Sequence, residues 1–479
     1  MTQSRDTFFI GNAWVKPASS RTFTLVNAST EEVIGAVPEA VEADVDAAVA
    51  AARQALVAGP WARATPAQRA DIMDRFLGVL AARSDDIARA VSAQNGMPLA
   101  VSSQLEGQFA IGVVQYYAAL ARSLGEPDVR ASQMGKETLV ERSPIGVVAA
   151  IVPWNFPVTL ALNKIAPAMA AGCTVVIKPS PGTVLDSYII AEAALEAGVP
   201  AGVLNWVAAD REVGAYLVSH PGVDKVAFTG STPAGRSIAR TCGELLRPVT
   251  LELGGKSAAI LLEDADIGSF LQGVPFACML NNGQACFNGT RVLAPRSRYG
   301  EVVDALAGFA SALTIGDALD PETHVGPMAS AAHRDRVEGY IAIGKDEARL
   351  VAGGGRPKAT NRGWFVEPTI FADVDNTDRI AREEIFGPVL AVIPYDGEDE
   401  AVRIANDSDY GLGGSVWSSD SAHALDVARK VASGTVGVNG YMPSLGSPFG
   451  GIKASGLGRE FGPEAVSSYQ QLKSIYVMG

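Results

Sequence analysis

From Gly146 onward the chain alternates short, unbroken apolar runs with longer stretches of helical spacing. Residues 147–152, 173–177 and 203–207 are three such runs, followed by Lys225-Val226-Ala227-Phe228 and by Val249-Thr250-Leu251-Glu252-Leu253. Residues 167–171, 185–197 and 234–242 read as helices between them. A strand with no polar alternation must be covered on both faces, and strands so covered are joined by crossover helices. The pattern predicts an α/β fold with a doubly wound parallel sheet. After Gly254-Gly255-Lys256 the alternation restarts with residues 258–262, a helix before Cys286 and a strand after it. A second doubly wound domain is expected there, since 479 residues exceed what one core ordinarily serves.

The first part of the chain reads differently. Phe8-Phe9-Ile10-Gly11-Asn12-Ala13-Trp14-Val15 has the form of an edge hairpin turning at Gly11-Asn12. Helices are predicted over 42–56, from the capping box at Thr65-Pro66-Ala67-Gln68 to about Ala82, over 85–94 up to Asn95-Gly96, and over 105–124. Residues 125–137 are polar and aperiodic, whereas Thr138-Leu139-Val140-Glu141-Arg142 alternates like an exposed strand.

Charge and composition narrow the function. With 52 acidic against 39 basic residues and a net charge of −13, no basic block is present to neutralise nucleic-acid phosphates. The segment from Met1 to Asp6 has no leader pattern and no apolar run approaches a membrane span, so a soluble, cytoplasmic protein is expected. Cysteines at 173, 242, 278 and 286 show no paired spacing and read as reduced thiols; histidines at 220, 324, 333 and 423 form no metal pattern.

Five stretches carry possible chemistry. In Asn281-Asn282-Gly283-Gln284-Ala285-Cys286-Phe287-Asn288-Gly289 a thiol stands between polar, glycine-containing segments, which can hold a nucleophile at the rim of a cleft; a small buried residue is the plainer reading. Phe228-Thr229-Gly230-Ser231-Thr232-Pro233-Ala234-Gly235 runs from a strand through a glycine-bracketed turn into a helix, whose free N–H groups suit a phosphate. Lys178 ends a strand where open α/β sheets bind ligand, and is otherwise a solvated strand cap. Pro153-Trp154-Asn155-Phe156-Pro157 locks one amide between two prolines, as an oxyanion donor requires or as any turn amide allows. Glu252 is a lone carboxylate in an apolar strand end, a general base or else an ion pair with Lys256. Gly456-Leu457-Gly458 imitates a dinucleotide fingerprint but follows no convincing strand.

Taken together, Pro153-Trp154-Asn155-Phe156-Pro157, Gly230-Ser231-Thr232-x-x-Gly235, Leu251-Glu252-Leu253-Gly254-Gly255-Lys256, Gly283-Gln284-x-Cys286, Glu383-Glu384-Ile385-Phe386-Gly387-Pro388 and Ser447-Pro448-Phe449-Gly450-Gly451 resemble the aldehyde dehydrogenase superfamily over essentially the whole chain. The resemblance implies oxidation of an aldehyde to the acid with NAD, NADP being possible, through a thiohemiacetal and a thioester on Cys286. Asn155 and the Cys286 N–H would hold the oxyanion, Glu252 would activate the hydrolytic water, and Lys164 and Glu460 would pass the proton outward. The cofactor would lie among Ile151, Trp154, Lys178, Ser180, Pro181, Gly230, Ser231, Gly235, Leu253, Glu384 and Phe386. One departure stands out: many NAD-preferring relatives have a glutamate three residues after the equivalent of Lys178, and here that residue is Pro181.

The resemblance further implies a cofactor-binding domain of residues 1–125 and 144–254, a catalytic domain of 255–455, and a small β oligomerisation unit of 126–143 and 456–479 that builds a homodimer or homotetramer. Phe156, Leu160, Phe287, Tyr441, Leu445 and Phe449 would line the aldehyde tunnel, favouring aliphatic or aromatic aldehydes, and Asn163 adds a polar group without an assigned role. Two alternatives are a coenzyme-A-acylating relative, which would not need Glu252, and a silent nucleotide-binding structural oligomer.

Overall fold

The computed structural model describes residues 4–358 and 360–478; Met1 to Gln3 of the N-terminal segment lie outside the described residues. Its larger sheet has eight strands, in the order Gly456–Leu457, Val249–Glu252, Lys225–Thr229, Val147–Ile151, Thr174–Lys178, Leu204–Trp206, Phe8–Ile10 and Ala13–Val15. The five from Val249–Glu252 to Leu204–Trp206 are parallel, as their unbroken apolar character predicts. The hairpin closes one edge antiparallel, with Gly11 and Asn12 both at positive φ, the backbone that a two-residue turn between twisted strands needs.

Register in this sheet sets up the site. Ile151 pairs with Lys178, and Thr229 with Glu252, so the strands end level with one another. Each strand therefore delivers its last side chain to one rim, outside the carboxyl ends of the sheet.

A second sheet of seven strands runs Arg349–Ala352, Thr369–Ala372, Val389–Tyr395, Arg291–Pro295, Ala258–Leu261, Gly414–Trp417 and Gly437–Val438. All its pairings are parallel except that of the outer Arg349–Ala352. A third, antiparallel sheet joins Gln470–Val477, Glu137–Pro144 and Asp128–Ala131.

The helices start and stop where local chemistry dictates. Pro66–Ala82 opens on a capping box in which the Gln68 N–H donates to Thr65 Oγ1 (3.2 Å) and the Thr65 N–H to Gln68 Oε1 (2.9 Å). Such a cap contributes about 1 kcal/mol. Ser84–Asn95 ends at Gly96, whose φ of 78° only glycine adopts without strain. No helix among the described residues is long and apolar enough to cross a membrane.

Three expectations shift. The helix placed over 105–124 begins at Leu99, widens into a π-helical stretch at Ser103–Phe109 and continues as Ala110–Ala121. Ser102, ahead of the expected start, is buried and bonded to the neighbouring helix through Ser92 Oγ (2.8 Å) and the Ala88 carbonyl (3.0 Å). Asp128–Ala131 is a strand inside a stretch that looked aperiodic, because it pairs with Glu137–Pro144 and needs no buried face of its own. Of residues 456–479, only Gln470–Val477 enters the small sheet; Gly456–Leu457 is itself a strand, antiparallel to Val249–Glu252 in the larger one.

Candidate active site

Two cavities meet at Cys286. The larger, about 500 Å³, is bordered by Trp154, Thr229 to Pro233, Glu252 to Gly254, His333, Glu384 and Phe386. The smaller, about 70 Å³, is bordered by Leu105, Phe109, Phe156, Leu160, Phe287, Phe449 and Phe461, with Thr159, Asn163 and Glu460 as its polar members. Asn155 and Cys286 are the residues common to both linings.

The larger cavity sets hydroxyl, carboxylate and imidazole groups among aromatic rings, and one helix N-terminus opens toward it. Ser231 occupies the N-cap of the Thr232–Glu244 helix without using its side chain as a cap, so the first-turn N–H groups are left without a side-chain acceptor beside the cavity. A Cβ on Gly230 would press 2.5 Å from the Phe228 ring, and one on Gly235 would collide with Leu253, so both glycines let this helix sit close on its sheet. Glu384 accepts the Gly255 N–H at 2.9 Å, and desolvation pushes its carboxyl up to about 7. Phe386 has a left-handed backbone, φ 67°, and its ring stands edge-on to Trp154 at 5.4 Å.

Ile151, Lys178, Ser180, Pro181 and Gly235 lie outside that lining: Ile151 and Lys178 pair at the sheet rim, Ser180 and Pro181 follow Lys178, and Gly235 is in the Thr232–Glu244 helix. Lys178 is buried, donates from Nζ to the Pro179 carbonyl at 3.2 Å, and is pushed down to about 8 by desolvation. Pro181 is half-buried. His333 gave no sequence signal, yet it touches the rings of Trp154 and Phe386 and bonds the Phe386 carbonyl through Nε2 at 2.7 Å. Burial pushes its imidazole down to about 4, so at neutral pH it is uncharged and donates through Nε2.

The loop that carries Cys286 is held on every side. Asn281, Asn282 and Gly283 are consecutive left-handed residues, which asparagine and glycine tolerate best. Asn282 Nδ2 donates to the carbonyls of Gly96 (2.8 Å) and Pro327 (3.0 Å), and its Oδ1 accepts the Gly326 N–H (2.8 Å). Gln284 donates to the Asn281 carbonyl (3.2 Å) and accepts the Ala329 N–H (3.0 Å). A side chain on Gly283 would collide with the Gly387 carbonyl. Cys286 is partly exposed, at the junction of the cavities rather than on an outer rim. Desolvation, then the charges of Glu384 and Glu252, hold its thiol above the usual range, so it rests protonated.

Asn155 is framed with equal care. Its Nδ2 donates to the Gln284 carbonyl at 2.9 Å, and its own carbonyl accepts from Asn281 Nδ2 (2.9 Å) and Asn95 Nδ2 (3.1 Å). An amide nitrogen has two hydrogens, and one remains for a ligand.

Glu252, at 2% exposure, makes no hydrogen bond with either oxygen. The ion pair with Lys256 does not form; the fields felt by Lys256 come from Arg291, Glu384 and Glu383. Desolvation and then the Glu460 charge raise the Glu252 carboxyl well above its ordinary value. Gly450 makes room for it, since a Cβ there would come 2.6 Å from Glu252 Oε1. Behind it, Lys164 Nζ bonds Glu460 Oε1 at 2.7 Å and Thr229 Oγ1 at 2.6 Å.

Of the six residues expected around the aldehyde, Phe156, Leu160, Phe287 and Phe449 border the apolar cavity. Tyr441 and Leu445 do not. Tyr441 backs Phe287, ring centroids 4.9 Å apart, because its hydroxyl is drawn to Thr435 Oγ1 at 2.6 Å. Leu445 faces Gly112 on the Ala110–Ala121 helix. Leu105, Phe109, Leu280, Met442, Pro443 and Phe461 were not singled out, since no motif marks them.

The sequence profile of the aldehyde dehydrogenase family matches residues 14–475. The geranial dehydrogenase of Castellaniella defragrans is 60% identical over 479 residues, 100% of each chain. Among solved structures, an aldehyde dehydrogenase of Mycobacterium tuberculosis complexed with NAD+ superposes with a TM-score of 0.97 at 46% identity, covering 100% of this chain and 99% of that one. A cysteine-to-alanine mutant of aldehyde dehydrogenase C from Pseudomonas syringae, complexed with NAD+ and octanal, gives 0.95 at 39%, covering 98% and 96%. The chain that encloses these two cavities belongs to the aldehyde dehydrogenase family.

Proposed function

We propose that this enzyme oxidises an apolar, open-chain aldehyde, with branched, unsaturated aldehydes such as geranial foremost, to the carboxylic acid with NAD+. The meeting of a larger cavity of mixed lining and a small apolar one at Asn155 and Cys286 carries the reading, because a carbonyl placed there has its chain on one side and its electron acceptor on the other. Kinship with the geranial enzyme supports the substrate class. No arginine or lysine borders the apolar cavity, so nothing there would pair with a second carboxylate.

A nicotinamide dinucleotide fits the larger cavity: the Thr232–Glu244 N-terminus and Ser231 suit its pyrophosphate, Glu384 a ribose, and Trp154 and Phe386 the rings. When bound there it supplies a hydride acceptor. Cys286 forms the bond to the carbonyl carbon as a thiolate, and Asn155 Nδ2 with the Cys286 N–H stabilises the oxyanion. The thioester left on Cys286 is opened by water. Glu252, held at a raised pKa, is the stronger base for taking that water's proton, and the Glu460–Lys164 pair lies next in line to disperse it. Asn281, Asn282 and Gln284 keep thiol and oxyanion donor in fixed relation throughout.

The coenzyme-A-acylating alternative is not favoured, since Glu252 stands poised for water. The four free thiols suit the reducing cytoplasm. The small sheet exposes Val129 (59%), Leu472 (68%) and Tyr476 (71%), apolar surface that a second copy in a homodimer or homotetramer would cover. The test is formation of reduced cofactor from a panel of aldehydes with NAD+ and NADP+, with and without coenzyme A, by wild type and Cys286→Ala. Turnover that depends on Cys286 and ignores coenzyme A is expected; a strict need for coenzyme A would overturn the hydrolytic reading.

A further inference from the structure

Glu106 is a fully buried carboxylate (0% exposed) that the reaction as described does not use. Among the described residues it has no cationic partner. Its hydrogen bonds come from the Pro157–Ala171 helix, where the Val158 N–H donates to Oε2 at 2.7 Å and the Thr159 N–H to Oε1 at 3.3 Å. That helix begins immediately after Asn155 and Phe156, and Phe156, at its N-cap, has no side-chain acceptor of its own. Glu106 supplies the missing cap from another element, and an anion there is favoured by the helix dipole.

The delivery is unusual. Glu106 sits in the π-helical stretch Ser103–Phe109, where the Ala110 N–H bonds the Leu105 carbonyl, five residues back. The widened turn leaves that same carbonyl to accept Thr159 Oγ1 at 2.8 Å. Every donor lies on the Pro157–Ala171 helix and every acceptor on the π-helical stretch, so carboxylate and hydroxyl together latch the two. The flanking residues Leu105 and Phe109 border the apolar cavity, as does Thr159. Single π turns inside helices recur at functional sites, since they carry a cost that local packing alone rarely returns.

We propose that Glu106 is a positioning residue: by latching the π turn to the first turn of the helix after Asn155, it fixes the distance between the apolar wall and the oxyanion amide. The aldehyde chain packs on Leu105 and Phe109 while its oxygen meets Asn155, so this distance decides whether a bound chain presents its carbonyl to Cys286. The inference rests on Asn155 and Cys286 being the reacting pair. Burial pushes the Glu106 carboxyl up to about 7, against the downward pull of the Thr159 side chain and of the Val158 and Thr159 N–H groups.

The test compares wild type, Glu106→Gln, Glu106→Asp and Thr159→Val in the first-turnover burst with octanal and with acetaldehyde, alongside NAD+ affinity and Tm. Expected is a burst slowed about tenfold to a hundredfold with octanal and less with acetaldehyde, with NAD+ affinity kept. Thr159→Val, which breaks the other half of the latch, should shift the octanal-to-acetaldehyde ratio in the same direction, and decides the matter if the Glu106 variants do not fold. An unchanged ratio in the folded variants, or an equal loss across both aldehydes and NAD+ affinity, would overturn the proposal. A burst that persists in Cys286→Ala would instead remove the site assignment beneath it.

Discussion

Asn155 Nδ2 donates to the carbonyl of Gln284, two residues before Cys286, at 2.9 Å. The amide proposed to meet the substrate oxygen is thereby tied to the loop that carries the thiol. Asn155→Asp places an acceptor against that carbonyl and removes the donor together. We expect the burst to slow about a hundredfold to a thousandfold, the range for losing one oxyanion donor, with little change in NAD+ affinity; stopped-flow absorbance of the first turnover measures it.

Glu252 has both oxygens unpaired, so its replacement breaks no hydrogen bond of the fold. Glu252→Gln is expected to keep a full first burst of reduced cofactor and to slow the steady rate about a hundredfold or more. Equal loss of burst and steady rate would show that the carboxylate acts before the thioester forms.

The raised thiol of Cys286 gives a signed pH effect. Below its pKa the thiolate fraction grows about tenfold per pH unit, so the burst rate should climb through the alkaline range. If the thiol ionises unaided, the climb survives in Glu252→Gln. If Glu252 takes the thiol proton, the climb flattens there.

Pro181 stands half-buried three residues after Lys178, where many NAD-preferring relatives carry a carboxylate. Pro181→Glu is expected to lower kcat/KM with NADP+ about tenfold or more against NAD+, by repulsion of the extra phosphate. An unchanged ratio would detach this residue from cofactor choice.

Asp186 is buried, accepts Gln94 Nε2 at 3.2 Å and leaves Oδ2 unpaired; desolvation raises it to about 8. Its folded pKa lies above the unfolded value, so its contribution to stability is full below about pH 4 and is lost as pH rises through 8. Asp186→Asn keeps the acceptor and removes the charge. It should raise Tm more at about pH 8 than at about pH 5, by roughly 1–3 kcal/mol of stability at the higher pH.

What the sequence made legible was local. Cys286, Glu252 and Asn155 stand inside short motifs that carry the family resemblance when taken jointly, and the unbroken apolar runs announced the parallel strands. The rest depends on partners far along the chain. His333 acquires its place from Phe386, and Glu106 from Thr159, each 53 residues away. The resemblance placed Tyr441 at the aldehyde, whereas its hydroxyl bonds Thr435 Oγ1, a partner that periodicity cannot reveal. The strand at 456 was missed for the same reason: Gly456 and Leu457 pair with Glu252 and Leu251, partners far back in the chain.

Asn155 and Cys286 alone border both cavities, and this separates two kinds of inheritance. Leu105, Phe109, Phe287 or Met442 can drift without disturbing the turn at residues 230–233, and the turn can drift without reshaping the hydrocarbon wall. A lineage built on this plan is free to acquire new aldehydes and new redox partners on independent schedules, with the shared pair as the one address that neither search can rewrite.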